Sequence, residues 1–187
     1  MEKGTEDANS KIIRIAVTGP ECTGKTTLTQ QLAAHFGTIY VPEYARDYIA
    51  DLCRPYTYDD VLHIAEVQRR QAHEFVRQAS RVLFFDTYLI ITKVWFDVVF
   101  GRHPEWIEEE LSRKTIDFFL LCDTSIPWKA DPVRENGGEM REKLFRMYKL
   151  ELEKRNCPYT IITGTGQPRL NSAIQAVDQF MLHHSRL

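Results

Sequence analysis

The chain has 187 residues, 43% of them hydrophobic and 27% charged, with a formal net charge of −2. That length favours one domain able to bury a core without staples, and the near-neutral balance does not suggest a nucleic-acid or membrane-surface partner. No apolar run approaches the ~20 residues of a membrane span, and the scattered Cys22, Cys53, Cys122 and Cys157 form neither a disulfide framework nor a zinc pattern.

Met1 to Ser10 is polar and mixed in charge, without the apolar core of a signal peptide, and is expected to be a disordered lead-in to a single domain over 11–187. Ile12 to Thr18 is short, apolar and β-branched, which predicts a buried strand. Lys25 to Phe36 carries Leu28, Leu32, Ala33 and Phe36 at helical spacing, with Gly37 suited to its C-cap. Thr38 to Val41 predicts a second strand, and Glu43 to Leu52 a helix after Pro42. Tyr58 to Ala79 predicts a long helix with Val61, Ile64, Ala65, Phe75 and Val76 on its apolar side.

Arg81 to Phe85 reads as a buried strand ending on Asp86, and Thr87 to Phe100 as an apolar helix closed by Gly101. An acidic helix over Pro104 to Lys114 and a strand over Ile116 to Cys122 follow. Ser125 to Gly138, with two prolines and two glycines, reads as a mobile loop. Glu139 to Arg155 predicts a charged amphipathic helix, Tyr159 to Thr163 a fifth strand and Leu170 to His183 a closing helix. Strands alternating with helices predict an α/β fold with a parallel sheet covered on both faces.

Gly19-x-x-x-x-Gly24-Lys25-Thr26 has the Walker A spacing between a strand and a helix. The glycines allow a tight turn and close approach of backbone to phosphate, and the N–H groups of Glu21, Cys22 and Thr23 and the helix N-terminus make an anion cradle. Lys25 is placed to reach the β- and γ-phosphates, Thr26 to ligate Mg²⁺ and Thr27 to meet the α-phosphate. Cys22, inside the loop, is either a small residue that fits or a thiol activated by the helix N-terminus.

Ligands of open α/β sheets bind beyond the carboxyl ends of the strands. Asp86 is therefore expected to face the P-loop, as a Mg²⁺ ligand, as a base toward a substrate hydroxyl, or as a helix N-cap. Glu43 and Arg46 reach the same rim one helical turn apart, for sugar hydroxyls or proton abstraction and for a phosphate or other polar group; a surface ion pair is the alternative. Lys129 and Arg134 lie in a loop that suits a lid excluding water and neutralising transferred charge, or a solvated basic loop. Gln68 and Arg69 are further candidates on the long helix.

Assembled, these pieces resemble the ribosylnicotinamide kinase domain of the bacterial NadR proteins. That family's Gly-x-Glu-Ser-Ser-Gly-Lys-Ser stands here as Gly19 to Thr26, its Glu-Tyr-x-Arg as Glu43-Tyr44-Ala45-Arg46, its Asp-Thr as Asp86-Thr87 and its Trp-x-x-Asp-x-x-Arg lid as Trp128, Asp131 and Arg134. The order covers nearly the whole chain from Lys11 onward. The resemblance implies a P-loop kinase fold with a five-stranded parallel sheet and a short lid, ATP and Mg²⁺ as cofactors, and nicotinamide riboside as a small-molecule acceptor converted to its mononucleotide. Two positions depart from the pattern: Tyr88 replaces the Asp of Asp-Thr-Asp, and Pro42 an aromatic before Glu-Tyr. Tyr44, Tyr88 and Trp95 are then candidates for stacking on a pyridinium ring, with core packing as the alternative.

Asp86 is the first candidate base and Glu43 the second, with Lys25 and Arg134 stabilising charge in transfer. No His-x-Gly-His motif occurs and the length leaves no room for the adenylyltransferase of full-length NadR proteins, so the expected product is the mononucleotide. A DNA-binding segment, and with it repressor activity, is not expected either. A kinase of another nucleoside or metabolite and a nucleotide-dependent regulatory ATPase are the rival readings; the absence of Asn-Lys-x-Asp argues against a GTPase. A cytoplasmic location is expected from the cysteine usage, and no feature of the sequence sets the oligomeric state.

Overall fold

The computed structural model describes residues 12–129 and 136–184. The lead-in over Met1 to Ser10, and the lid residues Asp131 and Arg134, lie outside the described residues.

Strands β1 (Ile13–Thr18), β2 (Tyr40–Val41), β3 (Val82–Asp86), β4 (Phe118–Cys122) and β5 (Tyr159–Ile162) form one parallel sheet in the order β2-β3-β1-β4-β5. The helices α1 (Lys25–His35), α2 (Tyr44–Asp51), α3 (Tyr58–Val76), α4 (Leu89–Phe100), α5 (Glu105–Ser112), α6 (Gly138–Lys154) and α7 (Gly166–His184) connect and flank it. β1 is central, with Ile13 to Val17 paired to Val82 to Asp86 and Ile15 to Thr18 paired to Phe118 to Leu121.

Successive residues of β3 alternate between two cores because strand side chains point to opposite faces. Leu83 and Phe85 join Val61, Ala65, Leu89, Val94, Leu144 and Tyr148 on one side. Val82 and Phe84 join Leu28, Leu32, Ala173 and Val177 on the other. A sheet buried on both faces explains why Val-Leu-Phe-Phe shows no polar alternation.

Local chemistry sets the helix starts: α3 begins at Tyr58 as expected, while α4 and α7 begin elsewhere than the sequence suggests. α3 opens on a capping box: Thr57 and Asp60 exchange side-chain and backbone hydrogen bonds, and Arg54 and Tyr48 also bond the Asp60 carboxylate. Thr87 is not helical; it takes φ 71°, and Tyr88 stands at the N-cap of α4. A β-branched residue there is strained, and the Thr87 N–H bond to the Val17 carbonyl holds it at 3.1 Å. α7 begins at Gly166 rather than Leu170, with Pro168 inside its first turn, where a missing N–H is tolerated.

Candidate functional site

The carboxyl ends of β1 and β3 and the first turn of α1 open into a cleft of about 320 Å³. Gly19, Glu21, Cys22, Thr23, Gly24, Lys25, Thr26 and Thr27 form one wall. Glu43, Arg46, Gln68, Thr87, Thr92, Trp95, Tyr56 and Tyr148 are among the residues of the others.

The P-loop backbone has the shape of an anion nest. Cys22 and Gly24 take left-handed conformations, φ 58° and 70°, and Gly19 takes φ 142°. α1 has Gly24 as N-cap and no side-chain cap, so its first-turn N–H groups are left for a ligand. Thr23 Oγ1 donates to the Pro20 carbonyl at 2.8 Å, and Lys25 Nζ donates to the same oxygen at 2.9 Å. The Lys25 ammonium therefore rests against the loop that carries it.

Asp86 lies beneath this loop rather than on the cleft surface. It is 2% exposed, and neither carboxylate oxygen has a hydrogen-bond partner within ordinary geometry among the described residues. Burial raises its pKa above the ordinary carboxylate value, opposed by the nearby Thr26 hydroxyl and the charges of Lys25 and Arg46. Glu43 lines the cleft; its pKa is also raised, chiefly by burial, with Lys25 opposing and the Asp86 charge adding to the rise. Two orphaned carboxylate oxygens beside a P-loop hydroxyl are the hard oxygen donors that Mg²⁺ prefers, so the residues present fit that ion.

Of the candidate stacking residues, Trp95 is in the cleft, edge-on to Tyr56 with ring centroids 5.0 Å apart. Tyr88 is not. It is 3% exposed, packs edge-on against Phe85, and has its hydroxyl pKa pushed up by burial and by the Glu110 charge. The strained Thr87 turn puts the Thr87 side chain in the cleft and sends Tyr88 into the core. Tyr44 also lies off the cleft, its hydroxyl 3.1 Å from His63 Nε2 and its ring against Tyr48. Trp128 packs against the backbone of Gly137, where an added Cβ would meet it at 3.1 Å. Gln68 does line the cleft, with its carboxamide oxygen accepting from Thr92 Oγ1 at 2.6 Å.

Sequence reasoning missed Tyr56, Thr92, Tyr148 and two buried arginines. Arg141 falls on the same face of α6 as buried Leu144, Tyr148 and Leu152, and Arg169 on the same face of α7 as buried Ala173, Ala176 and Val177. An arginine on an apolar stripe was the available signal. Glu21 was found as a P-loop residue, but its carboxylate also accepts from the backbone and side-chain nitrogens of Asn136 at 3.1 and 3.0 Å.

Comparison with known proteins finds relatives in sequence and in fold. A family model described as an AAA domain matches residues 14–169. The trifunctional NAD biosynthesis/regulator protein NadR of Salmonella typhimurium is 29% identical over 146 residues, 76% of this chain and 36% of that protein. Its Escherichia coli counterpart is 28% identical over the same shares. The chain thus spans about a third of the length of the curated relatives it matches. Among solved structures, a NadR protein in complex with NAD and AMP-PNP superposes with a TM-score of 0.71 at 24% identity, over 90% of this chain and 49% of that one. Deoxyadenosine kinase from M. mycoides superposes at 0.64 and 13% identity, over 89% of this chain and 100% of that one. These likenesses show a fold shared with P-loop kinases. With the matched region running from β1 to the first turn of α7, the chain belongs to the AAA-domain family of that description.

Proposed function

We propose that the chain is an ATP- and Mg²⁺-dependent small-molecule kinase whose acceptor is nicotinamide riboside and whose product is nicotinamide mononucleotide. The observation that carries the reading is the joining, in one cleft, of a P-loop nest to an acceptor side lined by Glu43, Arg46, Gln68 and Trp95. A triphosphate held on the nest presents its γ-phosphoryl toward that side. The relatives support the acceptor: both are NAD biosynthesis/regulator proteins, and one NadR structure superposing at TM-score 0.72 is a complex with NR.

In this reading the acceptor hydroxyl oxygen forms a bond to the γ-phosphorus while the bond to the β–γ bridging oxygen breaks and ADP leaves. Glu43, on the cleft wall with a pKa raised by burial, takes the hydroxyl proton. Asp86, closed under the loop, serves with Thr26 to hold Mg²⁺, which when bound neutralises charge on the phosphates. Lys25 leaves the Pro20 carbonyl for the phosphates, and Trp95 with Tyr56 supplies an aromatic face for the pyridinium. The reading places the chain in the cytoplasm with its substrates.

ADP release measured with and without nicotinamide riboside is the test. Stimulation of at least tenfold by the riboside is expected. Stimulation by a different nucleoside would replace the acceptor, and hydrolysis indifferent to every nucleoside would identify a regulatory ATPase instead.

A further inference from the structure

Two arginines stand behind the P-loop, on the side away from the cleft. Arg141 is 6% exposed and Arg169 5%. Arg141 Nε donates to the Glu21 carbonyl at 3.0 Å, and its Nη2 to the carbonyls of Cys22 at 2.9 Å and Ile126 at 2.7 Å. Its Nη1 reaches the Thr124 carbonyl at 3.3 Å. Arg169 Nη2 donates to the Thr23 carbonyl at 2.7 Å, and its Nη1 to the carbonyls of Gly164 at 3.1 Å and Ile162 at 3.5 Å. Among the described residues no carboxylate pairs with either guanidinium.

These bonds dictate where the loop's donors point. All peptide bonds here are trans, so each C=O is antiparallel to the N–H of the next residue. Clamping the carbonyls of Glu21, Cys22 and Thr23 outward turns the N–H groups of Cys22, Thr23 and Gly24 inward. One of the clamped residues, Cys22, is held in a left-handed conformation that is unfavourable for a non-glycine residue. Without the clamp the loop has reason to relax. A buried cation whose partners among the described residues are carbonyl dipoles has no counter-charge among them, and a polyanion on the inward face supplies it across one peptide layer.

We propose that Arg141 and Arg169 are positioning residues for the triphosphate: they orient the three amides of the nest and leave two positive charges for the phosphates to balance. The inference rests on reading the P-loop as the triphosphate site. A hydrophobic pillar in either place would hold the helices but not aim the amides. Lysine keeps the charge but loses the planar fork that bonds several carbonyls at once.

Inorganic tripolyphosphate, titrated calorimetrically into the 187-residue chain, is the probe. Arg141→Lys and Arg169→Lys, each checked as folded by circular dichroism at the titration temperature, are expected to bind it at least tenfold more weakly than wild type. Affinities within twofold of wild type in both variants overturn the proposal. In the wild-type chain, which needs no substitution, tripolyphosphate is expected to move the amide proton resonances of Cys22, Thr23 and Gly24 together. Movement at Lys25 with none at those three overturns it as well. The probe needs no acceptor, so tripolyphosphate binding without riboside phosphorylation would sink the kinase reading and leave the arginine assignment standing.

Discussion

Gly19 packs its α-carbon directly against the end of the neighbouring strand: a Cβ built on Gly19 would lie 2.5 Å from the carbonyl oxygen of Cys122. The residue also takes φ 142°, a conformation open to glycine alone. The first glycine of the nest is therefore required twice, by its own backbone and by the close approach of β4. Gly19→Ala is expected to destabilise the chain by on the order of 3 kcal/mol and to abolish triphosphate binding. Urea denaturation and calorimetry check the two effects.

Asp86 is buried beside the Thr26 hydroxyl, and neither of its oxygens has a hydrogen-bond partner of ordinary geometry among the described residues, a placement that suits an ion more than a proton from the acceptor. Asp86→Asn is expected to lower kcat by on the order of 100-fold or more, as loss of an electrostatic or acid–base group does. Its affinity for ATP in the presence of EDTA should stay within threefold of wild type. Near-normal turnover would remove Asp86 from the mechanism.

The raised pKa of Glu43 makes a stability prediction with a definite sign. In the pH window above the ordinary carboxylate value, the folded chain holds a proton there that the unfolded chain has lost. Stability from this group therefore falls as pH rises through the window, and the full penalty is present above the folded pKa. Asp86 acts in the same direction. Glu43→Gln is expected to raise the Tm of the ligand-free chain at neutral pH, to leave it unchanged near pH 3, and to lower kcat. A variant less stable at pH 7 would show that Glu43 is held by favourable partners rather than penalised by burial.

Trp95 and Tyr88 separate cleft from core. Loss of an aromatic face from a cationic ligand costs about 1–2 kcal/mol, so Trp95→Ala is expected to raise the acceptor KM about tenfold with little change in the KM for ATP. Tyr88→Phe should change neither, because its hydroxyl lies in the core without a hydrogen-bond partner among the described residues. Steady-state kinetics of the two variants with the riboside decide the point.

Cys22 lines the cleft, and its sulfur accepts from the Lys129 backbone N–H at 3.2 Å. Alkylation there puts bulk into the anion nest. In a Cys53→Ser background, which removes the exposed thiol, iodoacetamide is expected to abolish ATP binding, and ATP to protect. Full binding after modification of Cys22 would place its sulfur outside the phosphate path.

The sequence by itself determined the strand–helix alternation, the five parallel strands, and the P-loop between β1 and α1, because these rest on local signals: apolar β-branched runs, glycine spacing, and helical stripes. Strand-end position puts Glu43 and Arg46 at the rim of the cleft, which they line; Gln68 and Trp95 line it too, but helical periodicity alone does not place them there. The direction of a side chain after a strained turn was a tertiary matter. Asp86 and Tyr88 both read as cleft residues, yet Asp86 is buried at the end of β3, and past the φ 71° turn at Thr87 the Thr87 side chain lines the cleft while Tyr88 enters the core. Likewise only the fold could bring Arg141 and Arg169 behind Glu21, Cys22 and Thr23, more than a hundred residues away in the chain. Hydrophobic periodicity marks which face of a helix is buried, but not which carbonyls a buried guanidinium will find there. That depends on where the sheet places the P-loop against α6 and α7.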